Sequence, residues 1–322
     1  MIYCTSCEDL PRAQRMKKRV LSTSLKIVVS GLLLSLIVKK AGPEQVLRYL
    51  HSMKAGFFFL STLIYVVIAW LVAVRWNILL GSRYTVGKLF SLHMIGNFFN
   101  TILPGNLGGD AVKGYYLFRD TNKAGVSFGS VFLDRYLGLF ARLFLGLISG
   151  MAAFSELRTI GMHWAIPALF SLFIAGSLLV FRFRIGKRFE AVADFYDYAH
   201  ALLKQKPVLL KAFLLSIIIQ ALLIVMIAVV ALGIGQQLSF AELFVFVPII
   251  MTVMIIPLSI SGFGVREGAF VVLFGLTGIP PSTSVSISFL WFLSTATASL
   301  IGLVEYLRFR KKISGPEQPT KP

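Results

Sequence analysis

Five stretches of this 322-residue chain, residues 55–74, 126–154, 164–181, 212–232 and 282–307, approach or exceed the length a helix needs to cross hydrocarbon, about 20 residues. A sixth, residues 20–38, carries Lys26 near one end, where its aliphatic stem can reach the headgroups. Hydrocarbon offers no hydrogen-bond partner, so a crossing segment must satisfy its own backbone, and spans of this length do so as helices. Apolar residues make up 57% of the chain and mean hydropathy is +0.80, well above a soluble domain. The sequence therefore specifies an all-α polytopic integral membrane protein.

Two interruptions of the apolar pattern carry the next constraint. Broken backbone is tolerated in a membrane only where protein buries it or where it lines a wet cavity. The first break runs Leu103-Pro104-Gly105-Asn106-Leu107-Gly108-Gly109-Asp110-Ala111-Val112-Lys113. The second runs Pro257-Leu258-Ser259-Ile260-Ser261-Gly262-Phe263-Gly264-Val265-Arg266-Glu267. Overlaid, Pro104 meets Pro257, Asn106 meets Ser259, Gly109 meets Gly262, and Lys113 meets Arg266. The prolines stop a helix, and Gly105, Gly108, Gly109, Gly262 and Gly264 admit backbone angles closed to other residues. Asp110 is placed to N-cap a helix running through Lys113 to Arg119.

A helix that starts at such a break aims free N–H groups and positive dipole charge at whatever lies ahead of it. With Lys113 or Arg266 in the first turn, each break becomes a candidate phosphate cradle. Asp110 and Glu267 would hold the cations or tune the site. Asn97 and Asn100, one turn apart on a shared face, would supply hydrogen bonds together with Asn106 and Ser259. The plain alternative is a kink beside a snorkelling cation; two motifs in matching register weigh against it. Further charges lie in residues 126–154, namely Asp134, Arg135 and Arg142. The two arginines stand seven apart and share a face, whereas Asp134 needs a cation from another helix. A buried structural ion-pair network is the simpler reading of these three.

Charge distribution gives the topology. Net charge is +18, from 32 basic and 14 acidic residues, and the basic residues gather at the ends of apolar spans, as cytoplasmic anchoring and anionic lipid require. No nucleic-acid-binding pattern competes. Residues 12–19 hold five basic residues and no acid, residues 75–88 supply Arg75, Arg83 and Lys88 as an acid-free cytoplasmic loop, and Arg308, Arg310, Lys311 and Lys312 close the last span. Within residues 182–211, Phe189, Val192, Phe195, Ala199 and Leu202 oppose Glu190, Asp194 and Asp197, which predicts an amphipathic cytoplasmic helix.

These segments fit about six full crossings plus two inverted re-entrant hairpins, residues 89–119 entering from the cytoplasm and residues 240–276 from outside, with both termini cytoplasmic. Counting the first break as a crossing would expose the basic segment 182–211 outside. The loop 39–54, with Lys39, Lys40, Arg48 and Lys54 against Glu44, is more positive than an external loop should be and counts against this topology. Residues 1–19 form a cytoplasmic tail, 20–312 the membrane domain, and 313–322 a Pro-rich disordered tail. Met16, followed by Lys17, Lys18 and Arg19, is an alternative start. The pair Cys4 and Cys7 has no second Cys or His pair nearby, so no metal is expected. His93 is the one histidine near the breaks and is not read as a ligand. No nucleophile elbow, phosphate loop, H-E-x-x-H or nucleotide-binding domain is present in the sequence, so no enzyme and no cofactor is expected.

The stretch Leu103 to Lys113, read as L-P-G-x-x-G-G-D-x-x-[KR], and S-x-x-G-x-G-x-R-E from Ser259 to Glu267 resemble the flippase-like membrane domain of lysylphosphatidylglycerol synthases. Asn106 stands where many members carry Gly, and the hydrophobic pattern matches from about residue 20 to residue 308. The resemblance implies movement of a lipid between leaflets of the cell membrane, an aminoacylated or anionic phospholipid or a prenyl-linked or surface glycolipid. It implies a stand-alone member without the soluble synthase domain. On this reading Lys113 and Arg266 grip one lipid phosphate between the two helix starts. The alternatives are a non-transporting partner of a glycosyltransferase or lipid-modifying enzyme, and an ion-coupled carrier of a small anion that uses Asp134.

Overall fold

The computed structural model describes residues 30–102, 108–255 except 153, 160, 162, 185, 187 and 189, and 262–314. Every regular element among them is a helix. In chain order these are α1 (30–41), α2 (Pro43–Ser52), α3 (Ala55–Leu79), α4 (Val86–Ile102), α5 (Gly108–Thr121) and α6 (Ala124–Ala152). Then follow α7 (Phe154–Thr159), α8 (Ala165–Phe183), α9 (Glu190–Leu203), α10 (Lys206–Gly233), α11 (Phe240–Val253), α12 (Val265–Gly275) and α13 (Pro281–Ser314).

Four of these, α3, α8, α10 and α13, are long and apolar enough to cross a membrane by length and composition. Helix α6 has the length, at 29 residues, but carries three charges along its course. The first expected span is described only from residue 30. The chain is thus an all-α polytopic membrane protein.

Helices α3 and α10 pair antiparallel and set the frame. At one end the Lys54 N–H donates to the Gly233 carbonyl at 3.1 Å; toward the other, Arg75 Nη1 donates to Ser216 Oγ at 2.9 Å. The chain leaves α3 at this second end and enters α4. It leaves α10 at the first end and enters α11.

The two broken segments are antiparallel hairpins. Lys88 on α4 pairs with Asp120 on α5, His93 meets Lys113 at 3.2 Å, and Asn100 Oδ1 accepts the Gly109 N–H at 2.7 Å. Residues that sum to a near-constant number are opposed, so both limbs return to one side. In the second hairpin Phe246 packs edge-on to Phe274 at 5.3 Å, and a Cβ on Gly262 would stand 2.8 Å from Met254 Cε. Because α4 starts where α3 ends and α11 starts where α10 ends, the hairpins open at opposite ends of the bundle. The tips, residues 103–107 and 256–261, lie outside the described residues, and with them Pro104, Gly105, Asn106, Pro257 and Ser259.

Three local expectations are corrected. Arg75 is not in a cytoplasmic loop: α3 continues to Leu79, and Arg75 is buried in the bundle. The segment 39–54 is mostly helical, because Val46 and Leu50, one turn apart, seal α2 against Val285 of α13. Asp110 is not an N-cap: α5 is already helical at Gly108, and the Asp110 carboxylate bonds side chains instead.

The amphipathic segment forms α9, which lies against α6 rather than on lipid alone. Gly125 and Gly129, one turn apart, leave room for Asp194 and Phe195, where a Cβ would come within 2.2 and 2.9 Å. Tyr198 Oη donates to the Leu79 carbonyl at 2.8 Å, and burial pushes its pKa up to about 12, so the donor stays protonated.

The first hairpin depends on two glycines. A Cβ on Gly109 would stand 1.8 Å from the Gly96 carbonyl oxygen, and one on Gly96 would stand 2.9 Å from the Gly109 carbonyl. Backbone cannot yield as a side chain does. Gly109→Ala is expected to destabilise the protein by about 1–3 kcal/mol or more, lowering the melting temperature in detergent. Gly275→Ala, where the added carbon meets nothing within 4 Å, should leave it unchanged; equal melting of the two variants would contradict the packing.

Candidate functional site

Helix α6 carries Asp134, Arg135 and Arg142, and each is met by a side chain from a different helix. Asp134 Oδ1 accepts from Arg75 Nε of α3 at 2.7 Å. This is the cation from another helix that the spacing on α6 demands. Arg75 is fixed further by Ser216 of α10, and Trp76 Nε1 beside it donates to Ser130 Oγ at 3.1 Å. Arg142 Nε donates to Gln220 Oε1 of α10 at 3.4 Å.

Arg135 faces the first hairpin. Its Nε stands 2.9 Å from Asp110 Oδ2 and its Nη2 3.0 Å from Asp110 Oδ1, a two-pronged pair. Lys113, one turn along α5, also reaches Asp110 Oδ1 at 3.0 Å, while its Nζ meets His93 Nδ1. Asp110 therefore serves two cations. The Lys113 side chain is 3% exposed, whereas that of Arg135 is 51% exposed, so Arg135 is the member open to an incoming group.

Asn100 braces the hairpin through Gly109. Asn97, which is buried, has an Nδ2 without a hydrogen-bond partner among the described residues. In all, Arg75, Lys113, Arg135 and Arg142 stand against Asp110 and Asp134, four cations to two carboxylates. An excess of positive charge within a membrane domain is costly unless water or an anion offsets it.

The second break is built differently. The Glu267 carboxylate accepts the Gly264 N–H through Oε2 at 2.7 Å, closing the first turn of α12. Through Oε1 it takes Arg266 Nη2 at 2.6 Å and Nε at 3.0 Å. Ser288 of α13 bonds both partners, at 2.9 and 3.2 Å. The Arg266 guanidinium is enclosed by Phe263, Trp291 and Phe292, whose ring centres lie 5.3, 5.4 and 4.9 Å away. Gly262 and Gly264 hold φ values of +79° and +83°, which a side chain would strain. The pair is neutral and buried.

The sequence brackets Lys113 and Arg266 as one jaw. The structure gives each its own carboxylate, and no hydrogen bond or ion pair joins the two clusters among the described residues. In the cluster around α6 four participants were missed: His93, Arg75, Ser216 and Gln220. His93 had a signal, since it stands one turn before Asn97 on the hairpin face. The other three sit in apolar runs and become visible only when helices pair. No group of three or more His, Cys, Asp or Glu side chains placed to hold a metal is present among the described residues.

The family model described as "Lysylphosphatidylglycerol synthase TM region" matches residues 24–302. Among curated relatives, the chain is 23% identical to a "UPF0104 membrane protein" of Methanothermobacter thermautotrophicus, covering 82% of this chain and 88% of the relative. It is 20% identical to one of Methanocaldococcus jannaschii, over 92% and 98% of the two chains. A third, of Pyrococcus horikoshii, is 24% identical over 89% and 97%. No solved structure matches.

Arg75→Ala strands the buried Asp134 carboxylate and is expected to destabilise the fold by about 3–5 kcal/mol. The apolar double variant Arg75→Met/Asp134→Leu should recover most of that loss, because it removes both charges. Denaturant unfolding in mixed micelles measures both; a double variant no better than Arg75→Ala would contradict the pairing.

Proposed function

Because the chain belongs to the lysylphosphatidylglycerol synthase TM region family, we propose that it moves a phosphate-bearing lipid between the leaflets of the cell membrane. The headgroup passes beside α6 while the acyl tails stay in the bilayer. The observation that carries this reading is Asp110, one carboxylate shared by Lys113 and Arg135, with half of the Arg135 side chain open. Such a site keeps a surplus positive charge that an anionic headgroup neutralises. The role is transport rather than catalysis.

Lys113, Asp110 and Arg135 form the headgroup site, with Asn97 and Asn100 beside it. Arg266 and Glu267 act as a neutral lock on the second hairpin. That assignment follows from their mutual pairing and from the ring enclosure around Arg266. An anionic or aminoacylated phospholipid, or a prenyl-linked or glycolipid carrier, meets the site's chemistry, since each carries a phosphate. Both termini are cytoplasmic on this reading, by the excess of Lys and Arg at those ends.

Vesicles reconstituted with the protein and a fluorescent phosphatidylglycerol test the proposal by quenching of the outer leaflet. Arg135→Gln leaves Asp110 paired with Lys113, so the fold is retained, and translocation should fall by at least about ten-fold. Arg266→Ala should lower the melting temperature first. Undiminished transport by Arg135→Gln would overturn the site.

A further inference from the structure

Arg142 is the charged side chain of the α6 network that has no carboxylate partner among the described residues. Gln220 orients it: Oε1 accepts from Arg142 Nε at 3.4 Å, and Nε2 donates to the Gly138 carbonyl, one turn earlier on α6, at 3.3 Å. This clamp engages one nitrogen, and among the described residues the edge carrying the two Nη groups has no hydrogen-bond partner. Arg75 approaches the same place from α3, since a Cβ on Gly138 would stand 3.3 Å from Arg75 Nη1. Ser216 and Gln220, one turn apart on α10, hold Arg75 and Arg142 respectively.

The charge pattern repeats along α6. Asp110 serves Lys113 and Arg135. Arg75 stands between Asp134, which its Nε binds, and Arg142, toward which its Nη1 reaches the Gly138 turn of α6. Each group is one carboxylate against two cations. Arg142 shares a face with Arg135 and lies about 10 Å further along the axis, seven residues at about 1.5 Å each. It is further from the end at which the first hairpin opens.

We propose that Arg142, oriented by Gln220 and backed by Arg75, is a second binding station for a phosphate-type anion, which it takes after Arg135 and Lys113 have held it. The free guanidinium edge matches two phosphate oxygens. One net positive charge at either station matches a phosphodiester monoanion, so neither station traps it. Naming the anion a lipid headgroup rests on the reading in the preceding subsection; anion binding at Arg142 does not.

The test is binding stoichiometry on the purified full chain in detergent, by calorimetry with dihexanoylphosphatidylglycerol and, separately, with inorganic phosphate. The wild type should bind two short-chain lipids. Arg142→Gln should bind one, with the remaining affinity changed by less than about two-fold, and Gln220→Leu should weaken the second site by about ten-fold. Arg142→Lys, which keeps the charge without the fork, should weaken the second site and retain two. If Arg142→Gln fails to fold, the Gln220→Leu and Arg142→Lys titrations carry the test.

A wild type that binds at most one anion, or two bound anions in Arg142→Gln, overturns the proposal. An Arg142-dependent site that takes inorganic phosphate but no lipid overturns the headgroup hand-off and keeps the anion site. Two bound lipids with no translocation in vesicles overturns the transport reading and keeps the station.

Discussion

A charged side chain inside a bilayer needs a polar or oppositely charged partner close by, and the course of α6 follows from that requirement. Asp134 is met by Arg75 of α3, Arg135 by Asp110 of α5, and Arg142 by Gln220 of α10. Each pairing draws a different helix to the same axis, so the polar residues specify which neighbours α6 takes as well as how tightly it holds them. The apolar cores around Phe246, Phe270 and Phe274 supply the burial. They are far more tolerant of sliding than a carboxylate facing a guanidinium.

The two hairpins share a sequence plan and differ in chemistry. In the second, Glu267 caps its own helix and neutralises the adjacent Arg266, Ser288 bonds both partners, and three aromatic rings exclude water. In the first, the acid stands three residues before the lysine, and a second cation arrives from α6. The shift in position of one carboxylate, from beside the cation to a turn ahead of it, turns a closed pair into a shared one. The inversion of the hairpins then points the shared, positive site toward one end of the bundle and the neutral lock toward the other.

Much of the architecture is legible in the sequence. Long apolar runs announce helices because lipid leaves no alternative, and the Gly-Pro breaks announce hairpins because an exposed break would be unaffordable there. Asp134 shows, by having no cation within reach on its own helix, that another helix must supply one. Arg75 is where the reading fails: it follows a run of about 20 apolar residues, the length at which a span can end, and so passes for an interfacial anchor. Only its partner on α6 tells it from one. The joint grip of Lys113 and Arg266 rests on sequence register, which carries no information about distance across the bundle. His93 and Gln220 are ordinary polar residues until a neighbour gives them a role.

The central claim is that the surplus charge beside α6 is offset by a phosphate from outside the chain. Imaging the protein by electron cryo-microscopy in nanodiscs made of phosphatidylglycerol tests it directly. The account predicts headgroup density within hydrogen-bonding distance of the Arg135 guanidinium, with Arg266 still bound to Glu267 and Ser288. A dry, sealed contact around Arg135, or a headgroup seated on Arg266 instead, would contradict it.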